Sequence, residues 1–211
     1  MNPAGSPSQI PDTPPQSRGC AVVGVIGATL VVIVLAVLGG WYVLSREVPE
    51  SGDFEAAPGC GEMENTALDE LVPEHSLEIE EQIGTGQDTS GTGWQCRWAT
   101  PEGPGEFVPA FASLAMVAAP GPGGVETAAQ NFQETVARHE TQELGEDLGD
   151  EAVLWTEEGP FTIACVGVRV SNLYLESCYS AAADYGAARS ADEEDVLSGV
   201  EELTRGFVGT V

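Results

Sequence analysis

The feature that most constrains this chain is an uncharged, strongly apolar run from Cys20 to Leu44. A helix of about 20 apolar residues is long enough to cross a bilayer. Arg18 and Arg46 flank the run, and Trp41 and Tyr42 stand where interfacial aromatic residues are common. The sequence therefore predicts one transmembrane helix over residues 20–44.

A cleaved signal peptide is the alternative interpretation of this run. The apolar region of a signal peptide is shorter, about 7–15 residues, and a small-residue cleavage site follows it. A lipoprotein signal would need its cysteine after the apolar run, whereas Cys20 precedes it. We therefore expect an uncleaved, single-pass anchor in the cell membrane. The short N-terminal tail favours a cytoplasmic N-terminus and an extracytoplasmic C-terminal domain.

Two segments flank the predicted anchor. Residues 1–19 are rich in proline and small polar residues, which cannot form a core, so we predict a disordered cytoplasmic tail. Residues 45–58 are acidic, and we predict a linker that holds the domain off the membrane. Residues 59–211 are long enough for one extracytoplasmic domain.

The charge of this domain excludes some partners. The whole chain has 7 Lys+Arg and 34 Asp+Glu, for a formal charge of -27, and it contains no Lys. From Glu47 onward there are 5 Arg and 33 acidic residues, so 5 − 33 = −28. Such a field repels phosphate groups, so we expect no nucleic-acid binding. The acidic residues are spread along the domain, which favours a role in solubility over a dedicated cation site.

Four cysteines follow the anchor: Cys60, Cys96, Cys165 and Cys178. They have no C-x-x-C spacing and no neighbouring histidine, so a metal site is a poor interpretation. Disulfides fit the predicted extracytoplasmic location. Four cysteines allow three pairings.

One pairing follows from a predicted hairpin in residues 161–179. Ser171-Asn172 is a plausible two-residue turn, since Asn tolerates a positive φ. With this turn, Cys165 lies opposite Cys178 at a closely spaced, non-hydrogen-bonded position that suits a disulfide. That pairing leaves Cys60 with Cys96. The same register places five apolar residues on one face of the hairpin: Val166, Val168, Val170, Leu173 and Leu175.

The apolar periodicity predicts an element order α-β-β-β-α-β-β-β-α. The first helix covers Gly61–Leu71, and the second repeats apolar residues from Val125 to His139. A capping box, Ser190 to Glu193, predicts the start of the last helix. Pairs of strands between helices are typical of an α+β domain, with helices packed on an antiparallel sheet. The expected strands cover 76–83, 94–98, 110–117, 152–155 and the two arms of the hairpin.

Several short motifs together resemble a known family. Cys60 precedes a short helix, a Cys-x-Trp motif follows at Cys96–Trp98, and further matches lie at Ala128–Phe132, Leu148–Ala152 and Val168–Asn172. The chain resembles a family of actinobacterial extracytoplasmic domains of unknown function, many of them envelope lipoproteins. The resemblance implies an α+β domain similar to the Mog1/PsbP sandwich, with a disulfide Cys60–Cys96 and no catalytic residues. The chain departs from the lipoproteins by its transmembrane anchor.

No motif for catalysis, nucleotide binding or metal binding occurs in the sequence. We therefore predict no enzymatic activity, no catalytic residues, no cofactor and no metal site. His75 is expected to face solvent, and His139 to be partly buried near the end of the second helix. Asp147, Asp150 and Glu151, in a glycine-containing loop, are the best candidates for calcium ligands.

Three functions remain open. We expect an interaction or sensor module that contacts another envelope protein, with an apolar patch on the sheet or around Trp94 and Trp98. The alternative is a module that binds a small ligand or lipid in an apolar cavity between sheet and helix. An envelope hydrolase ranks third and predicts carboxylates of raised pKa in a cleft.

Overall fold

The helices and strands named below lie in the unit Val48–Val211 of this computed structural model. The predicted tail and the predicted anchor, 20–44, lie outside the described residues apart from Val34. Within the described residues, no helix is both long and apolar enough to span a membrane. The structure describes residues 34, 49–84, 91–101, 107–145, 147–157 and 159–211.

The described residues form an α+β domain, as predicted, with a seven-stranded sheet in which every pair of neighbouring strands is antiparallel. The strands are β1 (Ser76–Ile83), β2 (Thr92–Ala99), β3 (Ala110–Ala118), β4 (Gln142–Glu143), β5 (Glu151–Glu157), β6 (Ile163–Val170) and β7 (Leu173–Ala181). The helices are α1 (Thr66–Leu71), α2 (Gly124–Val136) and α3 (Glu193–Val208), after a 3-10 turn at Cys60–Glu62. The strand order is β1-β2-β3-β7-β6-β5-β4.

The larger core lies on the sheet face that α3 covers. The apolar spacing of α3 predicts a buried stripe, and its members are buried except for the partly buried Leu197: Val196, Leu197, Val200, Leu203 and Phe207. Phe207 stacks on Trp98 with 5.9 Å between ring centroids. The apolar face of the β6–β7 hairpin joins the same core, because alternate residues of a strand point to the same side. Its buried members from α3 are Val196, Val200, Leu203 and Phe207.

A smaller core lies on the opposite face of the sheet, under α2. Phe132 of α2 packs there with Val153, Trp155, Cys165 and Tyr174. The sheet is therefore covered by helices on both sides. Alternate residues of a strand point to opposite faces and so belong to different cores.

The β6–β7 hairpin has the predicted register. Val170 pairs with Leu173, and Cys165 lies opposite Cys178 with 4.0 Å between their Cα atoms. The turn differs from the prediction, because Ser171 and not Asn172 takes the positive φ, at 54°. The structure contains both expected disulfides, Cys60–Cys96 and Cys165–Cys178.

The predicted start of the last helix is wrong. The helix begins at Glu193 with Asp192 as N-cap, and no side chain caps it. Ser190 instead pairs with Ala182, and its Oγ accepts a hydrogen bond from the backbone N–H of Thr162 at 3.0 Å. A tertiary contact therefore replaces the local capping box.

The predicted first helix is also divided in two. The 3-10 turn ends at Glu62, and Asn65 then caps α1 by accepting a hydrogen bond from the backbone N–H of Leu68 at 3.2 Å. Asn is a favoured N-cap, so it starts a new helix where the apolar spacing suggests a continuous one. The two-residue strand β4 has no counterpart in the prediction.

The described part of the predicted linker packs on the domain. The backbone carbonyl of Glu50 accepts hydrogen bonds from Gly123 and Val125 at the start of α2, at 3.1 and 3.4 Å. Phe54 packs against the larger core, and its N–H and C=O both bond to the side chain of Asn172. Residues 50–54 are therefore part of the folded domain.

Candidate functional site

Helix α2 covers only part of its side of the sheet. Its packing is concentrated on β6 and β7, with a smaller contact on β3. Along β3, the residues on the α3 side are all buried, whereas the four on the α2 side are only partly buried: Phe111, Ser113, Ala115 and Val117. We call the α2-side surface of β2 and β3, formed by Gln95, Arg97, Phe111, Ser113 and Ala115, the open sheet face.

An arginine and a phenylalanine pack together on the open sheet face. The guanidinium carbon of Arg97 lies 4.3 Å from the ring centroid of Phe111, a cation–π arrangement. Arg97 Nε also lies 3.4 Å from Glu78 Oε2 of β1, with the side chains 41% and 48% exposed. Among the described residues, however, no acceptor forms a hydrogen bond with this Nε, which is itself buried. The ion pair is therefore held by charge alone, between two side chains that are partly exposed.

A cleft of about 360 Å³ lies beside this pair, where β2 ends and β3 begins. Its apolar wall includes Ala99, Phe111 and Phe161. Two hydroxyl groups line it, but both are already engaged. Thr100 Oγ1 accepts a hydrogen bond from the N–H of Ala110 at 3.0 Å, and Ser180 Oγ donates to a backbone carbonyl. The cleft thus offers apolar surface with Arg97 and Glu78 as its charged groups.

The Cys165–Cys178 disulfide lies at the border between the open sheet face and the part under α2. Cys165 is buried, whereas Cys178 is partly exposed and pairs with Ser113 of β3. The crosslink ties β6 to β7 beside the open face and stabilises the fold by restricting the unfolded chain.

A buried tyrosine lies next to this border. Tyr174 Oη lies 2.7 Å from Thr135 Oγ1 of α2 and donates to Glu176 Oε2 at 2.9 Å. Burial, followed by the charge of Glu176, raises the pKa of Tyr174 well above its usual range. Burial, followed by Asp195, also raises the pKa of Tyr179. Both phenols therefore remain protonated near neutral pH, and they serve as hydrogen-bond donors that orient the packing.

The histidines occupy structural positions. The prediction that His75 faces solvent is wrong, because its side chain is only 11% exposed and its Nδ1 lies 3.1 Å from the carbonyl of Val72. His139 lies past the end of α2 and stacks on Trp155, with 4.7 Å between ring centroids. The two histidines do not belong to the open sheet face.

The three candidate calcium ligands form ion pairs with two arginines. Arg169 binds Asp150 at 2.8 Å and Glu151 at 2.6 Å, and Asp147 lies 3.6 Å from Arg205. These contacts compensate the carboxylate charges within the protein. No group of three or more potential metal-binding side chains occurs among the residues that the structure describes.

The sequence did not identify the residues of the open sheet face. Trp98 is fully buried and Trp94 packs against the larger core, so both tryptophans lie on the α3 side and not on the open sheet face. Strand β3 is almost entirely apolar, which suggests burial of both its sides. The available signal was in β2, where Gln95 and Arg97 alternate with Trp94, Cys96 and Trp98 and indicate a solvent-facing side.

Comparisons of the chain with protein-family models, curated proteins and solved structures find no match. The function is therefore inferred from the geometry of the domain.

Proposed function

We propose that this chain is a membrane-anchored extracytoplasmic interaction module whose protein partner binds the open sheet face. The observation that carries the proposal is the stacked Arg97–Phe111 pair beside a cleft, on sheet surface that α2 leaves partly exposed. The cleft wall adds the apolar side chains of Ala99 and Phe161. Contiguous exposed apolar surface with a polar rim is typical of binding sites.

The residue types on this face support a protein partner. Arginine and aromatic side chains contribute most to binding in many protein interfaces, when a partner excludes water from them. Arg97 is already held against Phe111, so a partner would lose little additional side-chain entropy on binding it. Because the Arg97 side chain is 41% exposed, a partner's carboxylate or backbone carbonyl can accept a hydrogen bond from the guanidinium.

The proposal also includes the cellular location of the domain and the family that the sequence resembles. Two disulfides are typical of proteins outside the cytoplasm, which supports an anchor over 20–44 with the domain in the envelope. A sheet with helices on both faces and the disulfide Cys60–Cys96 are compatible with the actinobacterial envelope family and a Mog1/PsbP-like arrangement. The proposal assigns no catalytic role to the domain.

The cleft supports a second candidate function, the binding of a small apolar ligand. Its volume of about 360 Å³ lies within the range of small-molecule sites. A ligand of this kind would contact Phe111 and Phe161, and a retained adduct in native mass spectrometry of the full-length protein would identify it.

Site-specific photo-crosslinking in the native membrane tests the protein-partner proposal. A benzoylphenylalanine in place of Gln95, an exposed residue of the open sheet face, should yield a discrete adduct. The same crosslinker in place of Glu202, exposed on α3, is the matched control and should not yield it. Phe111→Ser should abolish the adduct. Equal adducts from both positions, or an adduct that survives Phe111→Ser, would contradict the proposal.

A further inference from the structure

Strand β1 forms one edge of the sheet, with an exposed outer side. It pairs with β2 only, and among the described residues no other strand lies against its outer edge. Seven of its eight side chains are exposed, and Ile83 is partly exposed. The opposite edge is formed by β4, which has two residues. Within the described parts of the chain, the outer backbone groups of β1 are therefore the longest stretch of unpaired strand in this sheet.

Most of the devices that protect edge strands are absent from β1. The strand contains no proline and no lysine, two common blocks to edge pairing. A bulge interrupts the pairing between Leu77 and Ile79, but the register with β2 is then regular from Ile79 to Ile83. A stretch of this length is sufficient for strand addition.

Negative charge also protects the edge of β1, and it favours a basic partner strand over a second copy of β1. Glu78, Glu80 and Glu81 are exposed on β1. The segment 47–96 contains 13 acidic residues and no Lys or Arg. A second copy of this strand would place carboxylates near carboxylates, which is unfavourable. A strand with Lys or Arg at these positions would gain from the same charges.

We propose that the outer edge of β1 binds an extended basic segment of a partner protein as an added strand. Its backbone pairs with Ile79–Ile83. Because neighbouring residues of a strand point to opposite faces, one basic side chain lies beside Glu80 on one face, and on the other face a second lies beside Glu81 while an aliphatic side chain covers Ile79. This mode of recognition combines main-chain hydrogen bonds with side-chain selection. The inference rests on the proposed role as an interaction module, but it uses a different surface from the open sheet face.

Fluorescence anisotropy with the full-length protein tests this inference. The probe is a labelled peptide of about ten residues built from Lys-Lys-Val repeats, which presents Lys on both faces of an added strand and is long enough to span β1. The double variant Glu80→Lys/Glu81→Lys should weaken binding by about tenfold or more, since two attractive cross-strand pairs become repulsive. The matched control Glu140→Lys/Glu202→Lys, which reverses two exposed charges elsewhere, should have a much smaller effect.

A second peptide separates strand pairing from charge attraction. N-methylation of alternate residues preserves the positive charge but removes the hydrogen bonds of an added strand, so this peptide should bind about tenfold more weakly. Equal binding of both peptides, or equal effects of the two double variants, would overturn the inference. Crosslinks between two copies at Gln82 would overturn it in favour of self-association.

The two proposals fail separately. Phe111→Ser should leave peptide binding unchanged, because Phe111 lies two strands away from the β1 edge. If the peptide fails to bind while the crosslink from Gln95 persists, the edge inference is wrong and the open sheet face keeps its role. If the Gln95 crosslink is lost and the peptide still binds, the proposal for the open sheet face is wrong and the edge inference stands.

Discussion

Asn172→Ala should destabilise the domain strongly, because one buried side chain secures the segment that enters the fold. Asn172 is fully buried, and its Oδ1 accepts a hydrogen bond from the N–H of Phe54 at 2.8 Å. Its Nδ2 donates to the carbonyl of Phe54 at 2.7 Å and to that of Ala119 at 2.9 Å. The side chain therefore joins the hairpin turn, the entering segment and the end of β3.

The magnitude follows from these three hydrogen bonds. Each contributes about 1 kcal/mol net, so their loss costs about 3 kcal/mol of unfolding free energy. If the entering segment stays docked, the backbone groups of Phe54 and Ala119 lose buried partners, which adds to the cost. If it undocks, those groups reach water but Phe54 leaves the larger core. For a domain of this size, about 3 kcal/mol lowers the melting temperature by about 6–12 °C.

Chemical denaturation gives the free energy, and hydrogen exchange at the Phe54 amide shows whether the segment undocks. Asn131→Ala is the matched control, since Asn131 is partly exposed on α2 and its replacement by Ala favours the helix. Asn172→Ala within about 0.5 kcal/mol of the wild type, with unchanged protection of Phe54, would refute the role assigned to this side chain.

Three further predictions concern the cores and the disulfides. Burial raises the pKa of Tyr174 above its value in the unfolded chain. The contribution of Tyr174 to stability is therefore full below about pH 10 and falls as pH rises further. Denaturation across this range should show a smaller alkaline decline in the unfolding free energy for Tyr174→Phe. Gly199→Ala should cost about 1–3 kcal/mol, because a Cβ there would lie 2.6 Å from Tyr179 Cε1, and thermal unfolding measures this. A mild dithiol should reduce the disulfide of the partly exposed Cys178 before that of the buried Cys60, as followed by mass spectrometry of alkylated peptides.

Each of these predictions has a control. Tyr185→Phe, at a position that is 60% exposed, should keep the alkaline decline of the wild type. Gly61→Ala should cost much less than Gly199→Ala, since no atom lies within 4 Å of its added Cβ. In denaturant, both disulfides should become reducible together. A Tyr174→Phe variant with an unchanged decline, a harmless Gly199→Ala, or earlier reduction at Cys60 would each contradict the packing described above.

The parts of the fold that were predictable depend on contacts close in sequence. The register of the β6–β7 hairpin follows from one turn and one cysteine pair, and both constraints agree on it. The buried stripe of α3 follows from helical periodicity alone. In both cases, the residues that determine the geometry are neighbours in the chain.

The parts that were not predictable depend on distant contacts. Ser190 has the local sequence of a capping box, but its hydroxyl bonds to the backbone of Thr162. Residues 50–54 have the composition of a linker, yet they dock on a turn 118 residues further along the chain. Gly52 permits this docking with a φ of 80°, since any larger side chain would collide with Asn172. Composition did not indicate such a contact.

The open sheet face could have been inferred from the number of helices, although its position could not. Neighbouring strands lie about 4.8 Å apart, so seven strands span about 29 Å, whereas a helix is about 10 Å wide. The α3 side is covered by α3 together with α1, but the α2 side has only α2 among the described helices. One helix covers about two or three strands, so more than half of that side remains for solvent or a partner. Which strands remain open depends on Phe132, which packs on Trp155 and Cys165 and so places α2 over β6 and β7. A partner that completes this layer would therefore meet Arg97 and Phe111 first.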